Sequence, residues 1–114
     1  MSGKTLGVIT ITLSTMLLLL GNAYSAEMSA DGTGKAVFEK YCAACHQSGG
    51  NLFNPAKTLF RSDLAEHGIE TPKDIVKVMR HPGPGMNSFD EKTIPEKMAM
   101  EIAEYILDTF RIRL

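Results

Sequence analysis

The chain has 114 residues, and its 12 Lys and Arg against 13 Asp and Glu leave a formal net charge of −1. The basic residues are scattered among the acids, which excludes a nucleic-acid partner. With the first two dozen residues set aside as a targeting segment, what remains is one small domain with little apolar core of its own, the kind that needs a staple.

Lys4 gives a short positive start, Leu6 to Leu20 is an apolar run, and the small residues Gly21, Ala23, Ser25 and Ala26 follow. That order is the pattern of a secretory signal peptide over residues 1–26. Ala23 with Ser25 forms a small-x-small pair, whereas a cut after Ala26 leaves Tyr24 where a small residue is preferred, so cleavage is expected between 23 and 26. The apolar run is shorter than the roughly 20 residues of a membrane span. Periplasmic export is therefore expected, with no stable membrane insertion after cleavage, and residues 27–114 form the folded domain. Residues 27 to 33 read as a polar lead-in in which Asp31 or Thr33 caps the next element. Val37, Phe38, Tyr41 and Cys42 lie at helical spacing and predict a helix from about Gly34 to Cys45.

That helix runs into Cys42-Ala43-Ala44-Cys45-His46, which holds both cysteines of the chain. Cys-x-x-Cys-His is the spacing that attaches a c-type haem. Residues three apart share a helix face, so the two sulfurs can each add to one vinyl group along the same haem edge. His46 then reaches under the iron as the proximal ligand. Three plainer readings compete. A structural zinc site needs four ligands, and the other histidines, His67 and His81, form no second pair at fitting spacing. A thioredoxin-like dithiol needs a βαβ context that the flanking helical sequence lacks. A disulfide gives the adjacent histidine no task. Covalent haem is the reading the motif favours.

Gln47 to Pro55, with Ser48-Gly49-Gly50 and Asn54-Pro55, reads as a loop. A short helix is expected over Ser62 to His67, with Ser62 as cap and Gly68 as stop. Thr71-Pro72-Lys73-Asp74 places an N-cap, a proline at the first helical position and an acid three residues after the cap. Ile75, Val76, Val78 and Met79 continue that helix until His81-Pro82-Gly83-Pro84-Gly85 breaks it. Thr93-Ile94-Pro95-Glu96 carries a second capping-box pattern and opens the longest helix, which runs to about Phe110 with Met98, Ile102, Tyr105, Ile106 and Phe110 as its buried stripe. No strand pattern competes, so the fold class is all-α.

The iron has a second face, and Met86 is the leading candidate for it. A thioether is a soft, neutral ligand that favours reduced iron and raises the potential. Prolines and glycines before Met86 form a stiff presenting loop. Met79 and Met98 sit at core spacing on helices, Met100 at a helix edge, and Met28 in the lead-in. Among the histidines, His81 is the main competitor and His67 reads as surface.

Gly34-Lys35-Ala36-Val37-Phe38, the Cys42 to His46 motif, Asn51 to Leu59, Met86 with Phe89, and Tyr105-Ile106-Leu107-Asp108 together resemble class I cytochromes c. Within them the chain is most similar to the small single-haem c-six group, carriers that can replace plastocyanin in photosynthesis. The similarity runs from Asp31 to Phe110. It implies about four helices wrapped round one covalently attached haem, with the first and last helices crossing at Gly34 and Tyr105 and Phe38 nearby. It also implies that a carbonyl of the Asn51 to Pro55 loop accepts the Nδ1 proton of His46, and it leaves open which one. The family often has proline after its ligand methionine, where this chain has Asn87.

These features predict a soluble monomeric carrier of one electron, with one haem c, iron held by His46 and Met86, and redox proteins as donor and acceptor. A periplasmic shuttle is favoured, with the thylakoid lumen as the alternative for a photosynthetic member. Leu52 or Phe53 is expected to line the haem rim, and Lys57, Arg61 and Arg80 are candidates to neutralise the propionates. No acid, base or nucleophile cluster accompanies the haem, so no enzyme chemistry is expected. If Met86 is labile, the alternative is a small-ligand sensor or a peroxidase-like protein. A haem subunit of a larger oxidoreductase is the third reading.

Overall fold

The computed structural model describes residues 30–113, and the signal segment, its cleavage site and residues 27–29 lie outside them. The elements in chain order are α1 (Ala30–Tyr41), α2 (Ala43–His46), a 3-10 turn (Gln47–Gly49), α3 (Arg61–Glu66), α4 (Pro72–Arg80) and α5 (Glu96–Thr109). Among the described residues there is no strand, as the hydrophobic periodicity requires. None of their helices is long and apolar enough to cross a membrane.

The frame is the crossing of α1 over α5. Gly34 is buried there, and a Cβ added to it would stand 2.3 Å from the carbonyl oxygen of Glu101. Only a residue without a side chain lets the two backbones meet this closely. One turn later Phe38, 3% exposed, packs its ring 5.3 Å from Tyr105 and 5.7 Å from Phe110. The expected crossing is therefore present, with Gly34 seated on Glu101 and Tyr105 pairing with Phe38. Ile94, Ala99, Ile102 and Ala103 are completely buried beneath it. Each isoleucine taken fully out of water contributes roughly 1.5–3 kcal/mol.

Several predicted boundaries move. Among the described residues the first helix already includes Ala30, four residues before the expected Gly34, and Thr33 lies within it. It also breaks at Cys42, where the backbone turns through φ −118° and ψ −36° before α2 resumes. In α3, Phe60 occupies the N-cap without a side-chain bond, and Ser62 sits inside the first turn. Gly68, at φ +69°, ends that segment as expected.

The two predicted capping boxes diverge. At α4 the box is complete: Thr71 Oγ1 accepts from the Asp74 amide at 3.3 Å, and Asp74 Oδ2 accepts from the Thr71 amide at 2.8 Å. At α5 it is absent, because Pro95 is the N-cap and offers no side-chain acceptor. Thr93 turns back instead, donating to Asp90 Oδ1 from its amide at 2.8 Å and its hydroxyl at 2.9 Å. Glu96 is drawn away to Arg80. The apolar stripe of α5 holds at Ile102, Ile106 and Phe110, while Met98 and Tyr105 are half-buried and Ala99, Ala103 and Leu107 complete the face.

Candidate haem site

Cys42, Cys45 and His46 share one tight turn. The break after α1 is bridged by Cys42 N–H to Phe38 O at 2.8 Å and His46 N–H to Cys42 O at 2.9 Å. The two cysteines form no disulfide with each other, and Cys42 is half-buried and Cys45 exposed. Burial, and secondarily the neighbouring Cys45, push the Cys42 thiol up to about 11. Among the described residues no group of three or more His, Cys, Asp or Glu side chains is gathered at one point.

The imidazole of His46 is oriented by its own loop. Its Nδ1 lies 2.8 Å from the carbonyl oxygen of Gly50. A carbonyl can only accept, so Nδ1 carries the proton and Nε2 keeps its lone pair for a metal. The brace comes from one residue before the expected Asn51 to Pro55 stretch. The reason is the backbone path after α2, where Ser48 takes φ +53° and Gly49 φ +80°, turning the Gly50 carbonyl back to the ring.

Asn51 organises the loop that follows, a role the sequence did not single out. Its Oδ1 accepts from the amides of Phe53 at 3.0 Å and Asn54 at 2.9 Å, and its Nδ2 donates to Lys57 O at 2.8 Å. Leu52 N–H returns to Cys45 O at 2.9 Å, and Leu59 N–H to Gly49 O at 2.7 Å. Leu52 and Phe53 are held outward, 70% and 69% exposed. Opposite Gly49 stands the Phe110 ring, close enough that a Cβ on the glycine would lie 2.5 Å from it. The start of the loop is therefore closed by the end of α5.

Met86 comes from a different place, the segment between α4 and α5. It is half-buried and packs on the core against which Tyr41, Cys42, Ala43 and Phe89 also pack. The cysteines and His46 are thus joined in one turn, and of these three only Cys42 packs against the same core as Met86. Met79 is buried within α4, and Met98 and Met100 are half-buried on α5, as core filler should be. His81 is exposed at the end of α4, and His67 is exposed with its Nδ1 on Asp63 O. Of the basic residues expected near the propionates, Arg61 donates to Leu107 O at 2.9 Å and Arg80 donates to two backbone carbonyls. Lys57 is exposed.

The residues present fit a haem. Two cysteines stand three residues apart on one turn, an imidazole is fixed by its far nitrogen, and a thioether sits among half-buried apolar side chains. A family model described as cytochrome C oxidase, cbb3-type, subunit III, matches residues 29–106. Cytochrome c6 of Synechocystis sp. is 35% identical over 96 residues, covering 81% of this chain and 79% of its own. The chain belongs to the cytochrome c family. This cytochrome carries one covalently attached haem c with its iron. Its fold is similar to that of outer membrane cytochrome F from Geobacter sulfurreducens, with a TM-score of 0.66 and 43% identity over 68% of this chain and 98% of that one. A chloroplastic cytochrome c6 of Arabidopsis thaliana is 37% identical over 62 residues, 54% of this cytochrome and 35% of the plant chain.

Proposed function

We propose that this cytochrome is a one-electron carrier whose iron is ligated by His46 and Met86. The observation that carries the proposal is the His46 Nδ1 contact with Gly50, which aims Nε2 away from the loop one residue after the second thiol. When bound, the haem supplies a ferric–ferrous couple. Cys42 and Cys45 hold it by two thioethers, and the braced His46 ring keeps its direction in both oxidation states. Met86 offers sulfur from the segment between α4 and α5, held on its Phe89 side by bonds to the end of α4. Leu52 and Phe53, exposed beside Cys45, present an apolar face for brief contact with donor and acceptor proteins. The exported chain works in the periplasm, or in the thylakoid lumen of a photosynthetic host, as a monomer.

Substitution of Met86 by Ala tests the ligand set. The ferric wild-type protein should show the weak far-red sulfur-to-iron band, and Met86→Ala should lose it and titrate at a lower potential. A wild-type spectrum without the band, with rapid carbon monoxide binding to the reduced form, sinks the carrier and favours a ligand sensor or peroxidase. The description of the matching family, an oxidase subunit, favours a second reading as a haem subunit of a larger oxidoreductase. Stable co-purification with a membrane oxidase is the result that reading requires.

A further inference from the structure

Arg80 is the last residue of α4, and its side chain is only 14% exposed. Its Nη1 donates to Phe89 O at 2.9 Å and to Ile94 O at 2.9 Å, and its Nη2 reaches Glu96 at 3.1 Å. Phe89 is gripped from both sides, because its own amide donates to Met79 O at 2.9 Å. Its ring also meets Tyr41 edge-on at 6.1 Å, next to Cys42. Phe89 lies three residues after Met86. On the other side of Met86 the chain is loosely packed: a Cβ at Gly83 or Gly85 would find nothing within 4 Å, and Gly85 has φ +92°. The place of Met86 is therefore set from the Phe89 end.

We infer that Arg80 is the positioning residue that keeps Met86 at the iron, by clamping Phe89 and Ile94 to the end of α4. The inference rests on the ligand set proposed above. The ion pair with Glu96 contributes little, since that carboxylate side chain is 58% exposed. The two carbonyl bonds carry the clamp, for they are charge-assisted and sheltered. A planar guanidinium spans both carbonyls from one nitrogen while a second nitrogen reaches Glu96, and a lysine ammonium on its flexible stem does not reproduce that fork. With the clamp gone, Phe89 drifts from Met79, and Met86 leaves the iron more often.

Carbon monoxide competes with Met86 for reduced iron, so its binding rate reports how often the sulfur is away. Arg80→Gln should raise that rate by about tenfold or more, the factor that loss of a charge-assisted bond corresponds to, and should weaken the ferric far-red band. Arg80→Lys should raise it by a smaller factor, and Glu96→Gln by less than about twofold. Thr71→Ala, which removes the cap at the far end of α4, is the control for general loosening and should leave the rate unchanged. Equal rates in wild type, Arg80→Gln and Arg80→Lys overturn the inference, as does an equal acceleration in Thr71→Ala. If the wild type has no far-red band and Met86→Ala leaves carbon monoxide binding unchanged, the ligand set itself is wrong. A band that Met86→Ala removes but both Arg80 variants preserve refutes the clamp alone.

Discussion

The loop on the histidine side and the loop on the methionine side are held in opposite ways. After His46, nearly every brace is local: Gly50 O on the imidazole, Leu52 N–H on Cys45 O, and Asn51 bonded to Phe53, Asn54 and Lys57. After Arg80, local bonds gather only at Asp90, met by Thr93 and Ile94, and the stretch next to Met86 depends on contacts brought together at one guanidinium and one aromatic residue. Redundant local bonds fail one at a time, whereas a single clamp fails as a unit. The side bearing the Cys42 to His46 turn is thus also the locally stitched side, and the side bearing Met86, the proposed second ligand, rests on tertiary structure.

The substitution with the largest expected effect strikes both regions at once. Gly34→Ala forces a methyl into the Glu101 backbone, and neither backbone can yield alone. Overpacking of this kind costs about 3 kcal/mol. For a domain this small, that lowers the melting temperature by roughly 12–24 °C. Helix signal and far-red band should melt together, and a band lost well below the helix transition would show that the methionine side does not share the crossing. Asn51→Ala separates the two sides. It removes three exposed loop bonds for about 1–2 kcal/mol in chemical denaturation. Carbon monoxide binding should not change, since the neighbouring bonds still hold His46.

Acid gives the smallest and most graded test. The Thr58 hydroxyl, then Ser62 and Arg113, hold the Asp63 carboxyl below its ordinary value on the histidine side. The Thr93 amide and then its hydroxyl do the same for Asp90 in the methionine segment. A carboxyl whose folded value is depressed stabilises the protein above its unfolded value, near pH 4, and that contribution is lost as pH falls through the folded one. Urea midpoints should therefore be level from pH 7 to about 5 and fall below about 4. Asp63→Asn and Asp90→Asn should each shallow that fall, and only Asp90→Asn should alter the acid dependence of carbon monoxide binding. A fall as steep as in the wild type in both variants refutes their part in it.

What was legible in the sequence was whatever depends on near neighbours. The Thr71 box and the Gly68 stop are written in consecutive residues, and both are present in the fold. Thr93-Ile94-Pro95-Glu96 has the same local signature as Thr71-Pro72-Lys73-Asp74. Proline at the cap and an arginine sixteen residues earlier divert it, and no local pattern shows the second. The Gly50 brace escaped because it depends on Ser48 adopting a positive φ, a conformation that serine seldom takes. Gly34 was visible as a glycine in a first turn, but only its resemblance to the family gave it a partner.

That partner lies at the far end of the described chain, and this has a bearing on the order in which the protein is made. A polypeptide delivered amino end first offers Gly34 and Phe38 long before Glu101, Tyr105 and Phe110 exist to cover them. Contacts so remote in sequence are the last to close, since the intervening chain must first give up its freedom. Until then the turn bearing the two thiols belongs to an open strand of polypeptide, accessible to whatever machinery joins it to its pigment.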